Sequence, residues 1–164
     1  MTARAEPTSD GTAETLRRGV YGLAALGIAG TTVELVFLRH WQGATQLIVW
    51  PAIVALGIGL TVLVCQPSAR AVRAVRTVAI VVAGVALVGI VLHVTENLTA
   101  GPLDRDFAAR WDSMSAIEQW WEAITGGVGP APVLAPGVLA EISLALFVGT
   151  IRHPALSPSP QAFP

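Results

Sequence analysis

Four apolar runs, at residues 19–38, 46–65, 77–96 and 134–151, constrain this chain more than any other feature of its sequence. A helix rising about 1.5 Å per residue needs about 20 residues to cross about 30 Å of hydrocarbon, and each run is near that length. The expected fold class is therefore all-α: a membrane four-helix bundle. Composition agrees. Of 164 residues, 53% are hydrophobic and only 13% are charged, against about a quarter in soluble domains. An apolar excess of that size needs lipid to cover it.

The first run follows Arg17-Arg18, which also suits an export signal. Two observations argue against that. The run is longer than a signal's apolar region, and Arg39-His40-Trp41 follows it where a cleavage site of small residues would stand. The fourth run is the shortest, with Pro136 near its start, where a missing N–H costs nothing. Residues 1–15 are polar and read as a disordered tail, as does the Pro-rich end at 154–164. The transmembrane domain is expected over 16–153.

Arg placement orients the runs. All ten basic residues are Arg, a bias typical of GC-rich bacterial genes. Arg4, Arg17, Arg18, Arg70, Arg73, Arg76 and Arg152 belong to one side. Only Arg39, Arg105 and Arg110 belong to the other, the last two balanced by Asp104, Asp106 and Asp112. The positive-inside rule then predicts a multi-pass protein of the bacterial inner membrane with both termini cytoplasmic. All five Trp residues (41, 50, 111, 120 and 121) fall at or near the outer boundary, where an apolar ring with a wet N–H is favoured.

The long outer loop, 98–135, holds one helical pattern, at about 115–125. Ser115 and Glu118 fit a capping box, Ile117, Trp120, Trp121 and Ile124 share a face, and Gly126-Gly127 ends it. This is either an amphipathic helix lying in the interface or a lid on the bundle, and the two are compatible.

Ionisable residues inside a membrane are functional candidates by default. Glu34, His93 and Glu141 all fall roughly 6–8 Å below the outer boundary at 1.5 Å per residue. Glu96 shares a face with His93, and His40 sits just beyond the first run. Each acid continues a stripe of small residues: Ala24, Gly27, Thr31 and Glu34; Ala79, Ala83, Ala86, Gly89, His93 and Glu96; Gly137, Glu141, Ala145 and Gly149. Small residues mark helix contacts in membranes, so the acids are expected to face the interior.

Carboxylates with imidazoles suit a divalent transition metal ion, with Glu34, His93 and Glu141 as main ligands and Glu96 and His40 as weaker ones. The same set could relay protons. Against both stands a purely structural role, in which the polar groups pair and fix helix register. His153 reads as a tail residue without a role, and the sequon at Asn97 as chance. No nucleophile elbow, phosphate loop or Cys-x-x-Cys pair occurs, so enzyme chemistry is not expected. No basic patch suggests nucleic acid. The single Cys65 excludes an internal disulfide.

The segments ELVFLRH (34–40), QLIVWP (46–51), LHVTEN (92–97), WWEAITGG (120–127), LAPG (134–137) and IRHPAL (151–156) resemble an uncharacterised group of small bacterial four-helix integral membrane proteins. That resemblance implies four helices and a loop helix leading into the fourth, and it carries no activity. The stretch GGVGPAPV (126–133) looks longer than in that pattern. The functional expectation is an integral membrane protein, with the lipid bilayer as partner and a metal- or proton-binding polar cluster at its outer end. The alternative is an accessory subunit of a larger membrane complex whose polar residues serve packing against another membrane protein.

Overall fold

A computed structural model describes residues 9–157. Within them the protein is all-helical: α1 (Ser9–Phe37), α2 (Ala44–Leu47), α3 (Val49–Cys65), α4 (Ala69–Ala100), α5 (Ala116–Thr125) and α6 (Ala135–Gly149). Three segments, Gly11–Phe37, Ala44–Cys65 and Ala69–Leu103, are long and apolar enough to cross a membrane, and α6 is a shorter apolar helix.

Both ends of the expected domain differ from the sequence expectation. Residues 9–15, expected in a disordered tail, form the opening turns of α1. Glu14 pairs with Arg17 at 2.7 Å and Arg18 at 2.8 Å, the i+3 and i+4 spacings that support an exposed helix. The rest of the expected tail, 1–8, lies outside the described residues. At the other end, Pro154–Leu156 forms a 3-10 turn capped by His153, whose Nδ1 accepts from the Ala155 N–H at 3.2 Å. His153 is buried, not a free tail residue. Residues 158–164 again lie outside the described part.

The remaining boundaries have local causes. α1 ends in a left-handed Arg39 (φ 50°), with the His40 N–H bonding back to the Leu35 carbonyl and the Arg39 N–H to Val36. These are the two bonds of a Schellman cap, here without its usual glycine. The second run is interrupted at Ile48. Pro51 lacks the N–H that would reach the Leu47 carbonyl, and its ring crowds that carbonyl. Ser68 caps α4 by accepting from the Ala71 N–H, and Gly101-Pro102 ends it. α5 has the full capping box at Ser115 and Glu118 and stops at Gly126 (φ 77°). The Ser115 N–H, and then its hydroxyl, hold the Glu118 carboxyl below its usual range.

α6 packs against α4 and α1, and α3 packs against α4. One core runs between them through Ala24, Leu56, Val72, Ala86, Leu139 and Leu146. Small residues permit the close approaches: a side chain at Gly27 would meet Ile142, and one at Gly89 would meet Pro136 at 3.0 Å.

The Arg-rich end is tied by polar bonds. The Tyr21 hydroxyl donates to the Gly149 carbonyl at 3.0 Å, and Arg17 Nε donates to the same oxygen at 3.2 Å. Arg76 donates to the Thr150 hydroxyl at 2.8 Å and carbonyl at 2.6 Å. Two guanidiniums thus satisfy the orphan carbonyls at the negative end of α6.

The Trp-rich end is closed by residues 101–134. Val94, Phe107, Trp111, Ala123, Val128 and Val133 form a second small core there. Trp111 is buried, with its ring against Gly101, so it anchors this cap and not a membrane interface. Arg110 lies 4.5 Å above the Phe107 ring.

Candidate functional site

Helix lengths create a cavity at the Trp-rich end. A side chain at Gly59 would touch Val75, so those residues share a level. α3 starts at Val49, about 15 Å further on, level with residue 85 of α4. α6 starts near the level of Gly89, given the Gly89–Pro136 approach. α4 continues to Ala100. Two short helices therefore stop beside a long one, and the gap is only partly filled by Pro130–Pro132 and α2. What remains is a cavity of about 820 Å³ bounded by α1, α2, α3, α4 and the start of α6.

Glu34, His40, His93 and Glu96 line this cavity, and Glu34 and Glu96 are exposed in it, not turned into the bundle interior as expected. Glu34 sits one turn before the end of α1. His40 is placed by the α1 cap and by Trp50, whose Nε1 donates to the His40 carbonyl at 2.8 Å; Trp41 tilts against Trp50 with centroids 6.1 Å apart. His93 and Glu96 are a turn apart on α4. Burial, and then the facing His93, push the His40 imidazole below its ordinary pKa. His93 Nδ1 lies 2.9 Å from the Pro132 carbonyl. A carbonyl only accepts, so Nδ1 carries the hydrogen.

Below these polar groups the lining is apolar, with Leu35, Val85, Ala86 and Leu139 at depth. At its edge stand Leu38, Ile48, Val81 and Val88, each about half exposed.

Glu141 is not part of this arrangement. It is exposed on α6, whose buried face carries Leu139, Ile142, Ser143, Leu146 and Gly149. Of the expected inward stripe Gly137, Glu141, Ala145 and Gly149, only Gly149 is buried, because the bulkier apolar side chains fill the groove between α1 and α4. Among the described residues, no three His, Cys, Asp or Glu side chains form a group able to hold a metal ion.

Sequence reasoning missed Asn97. It is fully buried. Its Nδ2 donates to the Ala123 carbonyl at 3.1 Å and the Ala131 carbonyl at 2.9 Å, and its Oδ1 accepts from the Ala131 N–H at 2.9 Å. It pins the cap, including the Pro130–Pro132 wall of the cavity, to α4. The available signal was an amide side chain where an apolar run meets a long loop. Tyr21 and Thr150 gave no sequence signal either, because the Gly149 carbonyl that Tyr21 meets and the Arg76 side chain that Thr150 meets are far away in the chain.

No protein-family model, curated protein or solved structure matches the chain.

Proposed function

We propose that the chain is a multi-pass protein of the bacterial inner membrane, with four spans and both termini cytoplasmic, and that the cavity at its outer end is a binding site. The carrying observation is that Glu34, His40, His93 and Glu96, from separate parts of the chain, line one cavity of about 820 Å³, a size in the range of small-molecule sites. Three apolar segments of spanning length support the membrane assignment. α6 serves as the fourth span, made long enough by the Leu134 side and by Thr150–Arg152. α5 lies in the outer interface, with Ile117, Trp120, Trp121 and Ile124 exposed on it. A small ligand or a proton suits the four polar groups better than a metal ion, since no three of them are grouped as ligands.

A neutral photoreactive hydrocarbon probe tests the site in membranes. Labelling should concentrate on the peptide holding Val85–Glu96 and fall several-fold in Gly84→Phe. Gly84 lines the cavity, and a Cβ there meets nothing within 4 Å, so the variant fills space without a clash. Labelling that is uniform over all apolar helices and unchanged by Gly84→Phe would refute the site. Reporter fusions at both termini should read cytoplasm, and one after Asp104 the outside.

A second reading has its own observation. Gly19, Gly22, Ala25 and Ala29 are exposed along one side of α1, the type of surface on which another membrane helix packs. It assigns the protein to a larger complex. Gly22→Phe should then disrupt co-migration with that complex in native membranes while leaving thermal stability unchanged.

A further inference from the structure

We infer that the cavity takes a cationic amphiphile: a protonated amine bearing N–H donors, on an apolar tail. The inference rests on the cavity being a binding site and adds the chemical class of its ligand. Its first support is charge. Two carboxylates, Glu34 and Glu96, line the cavity, and among the described residues no Arg does. An anionic head would meet repulsion from both carboxylates with no guanidinium to offset it.

The second support is the kind of polar atom offered. Glu34 and Glu96 are acceptor-only when ionised, and both line the cavity. Carboxylates from two helices call for a ligand that donates several hydrogen bonds, as a primary ammonium does and a quaternary ammonium cannot. No Phe, Tyr or Trp lines the cavity among the described residues, so it lacks the aromatic cage that quaternary ammonium groups favour.

The third support is shape and route. The polar groups stand toward the Trp-rich end, and Val85, Ala86 and Leu139 lie deeper, so head and tail have separate places. Leu38, Ile48, Val81 and Val88 edge the cavity on outward-facing surface at span depth. An amphiphile already in the bilayer therefore enters sideways, tail first, without crossing water.

Full-length protein in neutral maltoside micelles is titrated with dodecylamine, dodecyltrimethylammonium, dodecanol and dodecanoate, following saturable binding and thermal shift. Dodecylamine should bind best, and the quaternary analogue roughly tenfold more weakly, since charge-assisted hydrogen bonds are lost. Glu34→Gln with Glu96→Gln should weaken dodecylamine at least tenfold and leave dodecanol unchanged. Gly84→Phe should weaken both. Equal binding of dodecylamine to wild type and the double Gln variant, or dodecanoate binding as well as the amine, would overturn the cationic class. If in that case Gly84→Phe still blocks every probe, the binding site itself survives. If no probe binds saturably, both fail. Unchanged thermal stability of the unliganded variants shows that they fold.

Discussion

Replacing Asn97 by Ala should release the cap over the cavity while leaving the apolar helices packed. Asn97 makes three hydrogen bonds, two donated to carbonyls and one accepted from the Ala131 N–H, in a fully buried position. Each such bond is worth about 1 kcal/mol net, and leaving the partners unsatisfied pushes the cost up. The loss is therefore roughly 3 kcal/mol, confined to the cap because the main core through Leu56, Val72 and Leu146 does not involve Asn97. Local opening should then become roughly a hundredfold more frequent. Hydrogen exchange of peptides within 101–134 reads this directly, with peptides of α3 and α6 as internal controls. Asn97→Asp should be no better than Ala. It can still accept from Ala131 but faces the Ala123 and Ala131 carbonyls with no donor. Gly129→Ala should act similarly, since Gly129 has φ 77° and a Cβ there would strike Asn97. Exchange in the cap accelerated less than about fivefold, about 1 kcal/mol, would refute the claim that Asn97 holds it. Equal acceleration in the controls would refute its confinement.

Arg76→Met should cost roughly 2–3 kcal/mol in detergent unfolding, because it strands the Thr150 carbonyl at the negative end of α6; Tyr21→Phe, losing one bond to Gly149, should cost about 1 kcal/mol. Arg39→Gly should stabilise by about 0.5–1 kcal/mol, the left-handed strain of about 1–2 kcal/mol less the extra entropy of glycine; unchanged stability would mean that Arg39 makes compensating interactions. Burial, and then Arg17, hold the His153 imidazole below its ordinary pKa, and His40 is lowered too. The unfolded chain then binds more protons near pH 6, so thermal stability should be full above about pH 6.5, the ordinary histidine value, and fall as the pH drops below it. His153→Asn, which keeps an acceptor for the Ala155 N–H, should flatten part of that slope.

Helix placement followed from local rules that act within a few residues. The capping box at Ser115 and Glu118 and the stop at Gly126 were legible because each depends only on neighbours in the chain. The start of α1 was misplaced for a related reason. Polar composition suggested a tail, while the Glu14, Arg17 and Arg18 spacing, also local, supports a helix. The cluster around the cavity was partly legible. Depth along a helix is arithmetic, and Glu34, His93, Glu96 and His40 line the same space at the Trp-rich end.

The all-helical class, the three apolar segments of spanning length and the level at which the ionisable residues sit are readable from the chain alone. These depend on length, composition and rise per residue. Which way the residues turn is set by packing between the helices. α6 rotates to bury Leu139, Ile142 and Leu146, because bulky apolar side chains fill the groove beside α1 and α4, and that rotation puts Glu141 outside. The cavity also belongs to this level. It exists because α3 and α6 end short of α4, a relation between helices that no single run contains. Asn97 gains its role the same way, from backbone atoms 26 and 34 residues distant that only folding brings to it.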